Sequence, residues 1–107
     1  MRIELMAFVT GAALACVIAP SVAQHNVVPV TIDNFVFEPE RLTVKAGTTV
    51  TWVNRDDIPH TVVSTDKVFK SKVLDTSETF SFTFSAAGTF PYFCSLHPKM
   101  TGRVIVQ

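Results

Sequence analysis

Cysteine is scarce in this sequence. Its 107 residues include only two cysteines, Cys16 and Cys94. Cys16 lies in an N-terminal segment that we predict to be removed on export, so the rest of the chain holds Cys94 alone and cannot form an internal disulfide. Small exported domains usually depend on disulfides or on a bound metal for stability. A lone cysteine in such a domain is a buried apolar residue, an intermolecular link or a working thiolate.

The chain also lacks an excess of charge of either sign. Lysine and arginine together number nine, aspartate and glutamate together number nine, and the formal net charge is zero. One residue of each sign, Arg2 and Glu4, lies in the N-terminal segment, so its removal leaves the balance unchanged. No basic stripe is present, and a nucleic acid is therefore not an expected partner.

The one long hydrophobic run is at the N-terminus. It covers about 15 residues, Leu5 to Ala19, and is followed by the small-residue pattern that ends at Val22 and Ala23. A helix that spans a bilayer needs roughly 20 apolar residues, whereas this layout is typical of a secretory signal peptide. We predict a signal peptide over residues 1–23, cleaved after Ala23, and one small domain over residues 24–107 without stable membrane insertion. An uncleaved N-terminal anchor is the alternative.

Beyond this segment, apolar and polar residues alternate with a period of two, which is typical of β-strands with one buried face. In "ETFSFTF" the alternation places Phe80, Phe82 and Phe84 on one face and the hydroxyl residues Ser81 and Thr83 on the other. Similar runs are "VPVTID", "RLTVK", "TVTWVN", "HTVVS", "TFPYFC" and "GRVIV".

Turn residues divide these runs at Pro39, Ala46-Gly47, Asp56-Asp57, Ala87-Gly88 and Thr101-Gly102. Short strands at such spacing predict an all-β domain, a two-sheet antiparallel sandwich of seven or eight strands. The segment Asp66 to Asp75 fits either an irregular edge strand or a short helical turn.

Chemically active side chains are concentrated near the C-terminus, in the stretch "YFCSLHPKM". It places Cys94, His97 and Met100 at three-residue spacing, with Cys94 at the end of a strand, His97 in the following loop and Met100 just before the last strand. His60 opens the run "HTVVS". Two loops at one end of an antiparallel sandwich can bring His60 beside the other three residues.

One thiolate, two imidazoles and one thioether match copper well. Two histidines and one cysteine in a near-trigonal plane, with a weak axial methionine, form the blue-copper electron-transfer site. Zinc is the competing metal, but structural zinc sites favour paired cysteines and histidines. Taken singly, Cys94 fits a buried filler, His97 a surface histidine, Met100 core packing and His60 a loop residue; their coincidence in one exported β-domain favours a metal site.

The segments "VTWVNRDDIPHTV" and "GTFPYFCSLHPKMTGRVIV" resemble the cupredoxins, and the spacing C-x-x-H-x-x-M is similar to that of amicyanin. The resemblance covers Val28 to Val106. It implies a Greek-key β-sandwich that carries one type 1 copper at one end, held by His60, Cys94, His97 and Met100.

Two further residues take a meaning from this resemblance. It implies that the side chain of Asn54 ties the His60 loop to Ser95; the alternative is a simple turn former. Leu96 stands where amicyanin has proline, and it keeps a backbone N–H that proline lacks. That N–H either points at the Cys94 thiolate or faces solvent.

The function expected from these observations is that of a small soluble type 1 copper protein. It would shuttle single electrons between redox partner proteins in the periplasm as a monomer, and it would not be an enzyme. His97 would be the exit for the electron, with an apolar contact patch of Ile58, Pro59, Leu96 and Pro98 around it. A periplasmic copper storage or delivery protein is the alternative. Hydrolase chemistry at Cys94 lacks an orienting partner, and a copper oxidase would need more histidines.

Overall fold

Residues 26–107, the part of the chain that the computed structural model describes, form eight β-strands. These are β1 (Val27–Asp33), β2 (Val36–Glu38), β3 (Arg41–Val44), β4 (Thr48–Asn54), β5 (Val63–Ser64), β6 (Thr79–Phe84), β7 (Gly88–Cys94) and β8 (His97–Val106). The predicted signal peptide over residues 1–23 lies outside the described residues. Among residues 26–107, no helix is long and apolar enough to cross a membrane.

The strands form two four-stranded sheets, which confirms the predicted all-β sandwich. One sheet has the order β2-β1-β4-β6 and the other the order β3-β8-β7-β5. The predicted antiparallel pairing holds for β1 with β2, β4 with β6, β5 with β7 and β7 with β8, but β1 pairs with β4 and β3 pairs with β8 in parallel. Alternating hydrophobicity fixes which face of a strand is buried but not its direction. The chain that connects the two strands of each parallel pair includes other strands of the sandwich, because parallel neighbours need a long crossover connection.

Alternation along the strands builds the core between the sheets. Thr48, Val50, Trp52 and Asn54 of β4 are buried, and Phe84 of β6 is buried beside them. On the outer face of the same strands, paired hydroxyls replace apolar contacts. Thr49 and Thr51 of β4 hydrogen bond to Thr83 and Ser81 of β6, in each case over 2.7 Å between the oxygens. The predicted division of the faces of "ETFSFTF" is confirmed.

Two local predictions need correction, and the structure decides between two alternatives for a third segment. Thr101-Gly102 is not a turn but part of β8, where a Cβ on Gly102 would lie 2.6 Å from the Tyr92 ring. Only Val63–Ser64 of "HTVVS" is strand. The segment Asp66 to Asp75 is irregular and joins its neighbours through two isolated bridges, His60 with Leu74 and Val63 with Lys70. It follows the irregular-edge alternative.

Candidate metal centre

A tight hairpin holds two of the predicted ligands. Cys94 is the last residue of β7, His97 is the first residue of β8, and the two are directly paired across a two-residue turn. The expectation that His97 lies in a loop and that Met100 precedes the last strand was therefore wrong, because β8 begins at the tip of the hairpin, with a register shift between Phe93 and Cys94. Met100 is buried within β8 and lines a shallow surface concavity together with His97.

The third donor comes from a different part of the chain. The backbone of His60 is bound to that of Leu74 in both directions, His60 N to Leu74 O over 3.1 Å and Leu74 N to His60 O over 2.7 Å. These two hydrogen bonds fix the backbone of His60, and its side chain is fully buried. His97, by contrast, is only half-buried.

The donor atoms of these residues face one another across a gap that fits a metal ion. The Sγ of Cys94 lies 3.7 Å from Nδ1 of His60 and 3.6 Å from Nδ1 of His97, and all three atoms lie within 4.8 Å of one another. Metal bonds of about 2.05 Å to nitrogen and about 2.3 Å to sulfur put these atoms about 3.6 Å apart at tetrahedral angles and about 3.8 Å apart at trigonal angles. The observed distances fall in that interval.

Asp56 determines which nitrogen of His60 is free to bind a metal. Its Oδ2 lies 2.7 Å from Nε2 of His60. A carboxylate only accepts hydrogen bonds, so Nε2 carries the proton and Nδ1 presents a lone pair toward Cys94. Burial would raise the pKa of Asp56, but the backbone N–H groups of Phe35 and Asn34, together with His60, outweigh it and lower the pKa below its ordinary value. The aspartate is therefore ionised at neutral pH.

Thr61 supplies hydrogen bonds to the sulfur. Its backbone N–H donates to Sγ of Cys94 over 3.3 Å, and its hydroxyl lies 3.7 Å from the same sulfur. The hydroxyl oxygen also accepts from the N–H of Ser95 over 2.7 Å and lies 2.8 Å from the Ser95 hydroxyl. Among residues 26–107, the backbone donor to this sulfur is Thr61. Of the two alternatives left open for the Leu96 N–H, a hydrogen bond to the thiolate is not formed.

Asn54 also has a role different from the one that the resemblance implied. Its Nδ2 donates to the backbone oxygens of Ile58 and Leu74, each over 2.9 Å, and its Oδ1 accepts from the N–H of Asp56 over 2.9 Å. The buried side chain of Asn54 thus stabilises the loop before His60 through these hydrogen bonds. The link between that loop and Ser95 is made by Thr61, because the Asn54 amide is already satisfied by Ile58, Leu74 and Asp56.

The concavity beside His97 contains two of the four predicted patch residues, Leu96 and Pro98, but not Ile58 or Pro59, and Lys99 also lines it. It includes one residue that the sequence did not single out. Leu96 and Pro98 are exposed and line the concavity beside His97. Phe35 lines it as well, with its ring edge-on to His97 at a centroid distance of 5.0 Å. Phe35 is far from the ligands in sequence, and no local pattern connects it with them.

Comparison of the sequence with known protein families identifies the family of this domain. The model of the cupredoxin-like domain matches residues 5–106. The chain belongs to the cupredoxin family. It is 38% identical over 94 residues to amicyanin of Paracoccus denitrificans, an alignment that covers 83% of this chain and 71% of that protein. It is likewise 38% identical over 85 residues to plastocyanin of Scenedesmus fuscus, covering 67% and 87% of the two chains.

Solved cupredoxin structures agree with the fold. The purple cupredoxin of Nitrosopumilus maritimus superposes with a TM-score of 0.73 at 33% identity, covering 75% of this chain and 99% of that one. The cluster of His60, Cys94, His97 and Met100 is consistent with a type 1 copper site as in the amicyanin and plastocyanin electron carriers. The donor chemistry of this cupredoxin points to copper rather than zinc, because structural zinc sites favour paired cysteines and histidines.

Proposed function

We propose that this cupredoxin is a periplasmic type 1 copper protein that carries single electrons between redox partners, with His60, Cys94, His97 and Met100 as the copper ligands. The observation that supports it best is the convergence of Sγ of Cys94 with two Nδ1 atoms, at 3.6 and 3.7 Å, beside a buried methionine. The same four donors serve both oxidation states, since thiolate and thioether favour Cu(I) and imidazole also suits Cu(II).

Contacts within the protein hold the donor side chains in place. Copper, when bound, supplies the one-electron couple between Cu(II) and Cu(I). Asp56 fixes the proton of His60 at Nε2, and Thr61 donates to the sulfur of Cys94. Because these contacts come from the fold itself, neither oxidation state requires large ligand movement. A site that does not rearrange exchanges electrons quickly.

His97 is the proposed point of electron exit. It is the half-buried histidine of the pair, whereas His60 is fully buried. The surface beside it carries the exposed apolar side chains Leu96 and Phe35, which are 47% and 49% accessible. An apolar rim of this kind suits brief docking of a redox partner without strong attraction. The protein would act as a monomer, and the signal-peptide layout of residues 1–23 supports a periplasmic location.

Electron self-exchange between the Cu(I) and Cu(II) forms of the mature protein tests this function without a known partner. We expect a reversible one-electron couple with copper retained through repeated cycles. A Leu96→Glu variant should exchange more slowly, because two apolar rims can no longer meet. Val27→Glu is the matched control: Val27 is an exposed valine that pairs with Thr49, at the end of the sheet opposite to the Ile32–Asn54 pair.

Three results would contradict the proposal. Release of copper on reduction, or retention of Cu(I) without reoxidation, would indicate the storage or delivery alternative. Equal slowing in Leu96→Glu and Val27→Glu would show that exchange does not depend on the His97 end.

A further inference from the structure

The turn between β1 and β2 contains a residue that the backbone disfavours. Asp33 and Val36 are paired, so Asn34 and Phe35 form a two-residue hairpin turn, with φ of 53° and 61°. Turns with positive φ at both central positions strongly prefer Asn-Gly. Asn34 suits the first position, but Phe35 occupies the place where glycine is unstrained.

Burial in the core does not explain the presence of Phe35. Its side chain is 49% exposed. What its ring does contact is the metal centre, since it lies edge-on to the His60 imidazole at 5.5 Å between centroids and to the His97 imidazole at 5.0 Å, with interplanar angles of 89° and 88°. One half-exposed ring thus covers two of the proposed ligands.

The same carboxylate that orients His60 also holds this turn. Oδ1 of Asp56 accepts the N–H of Asn34 over 2.6 Å, and Oδ2 accepts the N–H of Phe35 over 3.0 Å while it binds Nε2 of His60. The position of the Phe35 backbone is therefore set relative to His60 through a single side chain. Strained backbone that is held in place by its surroundings is typical of functional sites.

We propose that Phe35 is a positioning residue of the metal centre. Set in place by Asp56, its ring holds the two imidazoles in their ligating orientation and keeps water and small anions away from the His97 side of the site. This inference rests on the proposed copper function. It assigns to the β1–β2 turn a role in the metal centre. This role explains why Phe35 stands at a turn position with positive φ that favours glycine.

Phe35→Gly separates this role from a role in folding. The apoprotein should keep or gain stability toward urea, because glycine relaxes the turn. The Cu(II) protein should acquire an azide-dependent change in its visible and EPR spectra that the wild type does not show. In the apoprotein, the NMR signals of the His60 and His97 ring protons should shift as they lose the adjacent phenyl ring.

Two further variants complete the experiment. Phe35→Leu, which keeps an apolar cover, should restore exclusion of azide. Asn34→Gly, in the same turn and equally compatible with positive φ, should leave the azide response and the histidine signals as in the wild type.

The proposal is overturned if Phe35→Gly lowers apoprotein stability and leaves copper as inaccessible to azide as before, since Phe35 would then serve only the fold. It is equally overturned if the histidine ring signals of the apoprotein do not move. A wild-type protein that forms no coloured copper complex contradicts the proposed function instead, and the apoprotein measurements still decide the role of Phe35.

Discussion

Removal of the Thr61 hydroxyl is a sharp test of the hydrogen bonding around Cys94. Thr61→Val keeps the shape of the buried side chain and the backbone N–H that donates to Sγ over 3.3 Å. It removes the oxygen that accepts the Ser95 N–H over 2.7 Å and that lies 3.7 Å from the sulfur. The variant therefore changes polarity in the loop around the thiolate and leaves its main backbone donor in place.

The expected effects follow from these contacts. The Ser95 N–H loses its acceptor, but Ser95 is an exposed residue that water can reach, so we expect the apoprotein to lose about 1 kcal/mol of unfolding free energy. In a domain of this size that is a fall in Tm of about 4–8 °C. A hydroxyl near the sulfur withdraws electron density and favours Cu(I). If this weak contact contributes about 0.5 kcal/mol, its loss lowers the reduction potential by about 20 mV, since 59 mV corresponds to 1.4 kcal/mol for one electron.

Thermal unfolding of the apoprotein and voltammetry of the copper protein measure the two effects. Thr61→Ser, which keeps the hydroxyl, should stay near the wild type in both. Leu96→Pro should change the potential less than Thr61→Val does, because the Leu96 N–H is not among the donors to the sulfur. An unchanged Tm together with an unchanged or raised potential in Thr61→Val would refute this reasoning.

Three further variants test the core and the axial ligand. Burial raises the pKa of Tyr92 to about 12, and the Trp52 side chain opposes this rise. The pKa of Tyr92 in the folded protein lies above the unfolded value near 10, so the unfolded state loses this proton first. The free energy of unfolding is therefore unaffected by Tyr92 below about pH 10 and falls by up to about 3 kcal/mol as the pH rises toward 12. The Tyr92 hydroxyl has no hydrogen-bond partner among the described residues. Tyr92→Phe should therefore lower the free energy of unfolding little at pH 7 and should remove the loss of stability at alkaline pH. Urea unfolding at pH 7 and 11 measures both effects, and an unaltered pH dependence would contradict this prediction. Gly102→Ala should lower the unfolding free energy by about 1–3 kcal/mol, since its Cβ would lie 2.6 Å from Tyr92; a wild-type urea midpoint would count against this packing. Met100→Gln should keep copper and lower the potential, because a harder oxygen donor favours Cu(II); voltammetry that shows a raised potential would oppose an axial role for Met100.

Strands with a clear period of two could be predicted, whereas direction and pairing partners could not. The alternation in β4 and β6 indicated their buried faces, but the parallel pairing of β1 with β4 joins residues such as Val30 and Trp52 that are distant in the chain. β2 was missed because it is only three residues long and follows a turn with phenylalanine in place of glycine. Gly102 suggested a turn, although its small size is needed for close contact with Tyr92.

The candidate ligands could be proposed from chemistry and spacing, but their supporting contacts could not. A thiolate, two imidazoles and a thioether form an unusual donor set, and three of the four lie within one short segment. Asp56 differs in no visible way from its neighbour Asp57 until the fold places it between His60 and the β1–β2 turn. Thr61 reaches the sulfur of a residue 33 positions away. Such contacts depend on tertiary packing, which no local pattern of residues encodes.

Titration of the mature apoprotein with Cu(II), followed by visible absorption and EPR, tests the central claim most directly. The site predicts one tightly bound copper per chain and an intense visible band from charge transfer between the Cys94 thiolate and the metal. Cys94→Ser should bind copper weakly or without colour. A colourless wild-type complex, or a Cys94→Ser variant with the spectrum of the wild type, would contradict the assignment of a type 1 copper site.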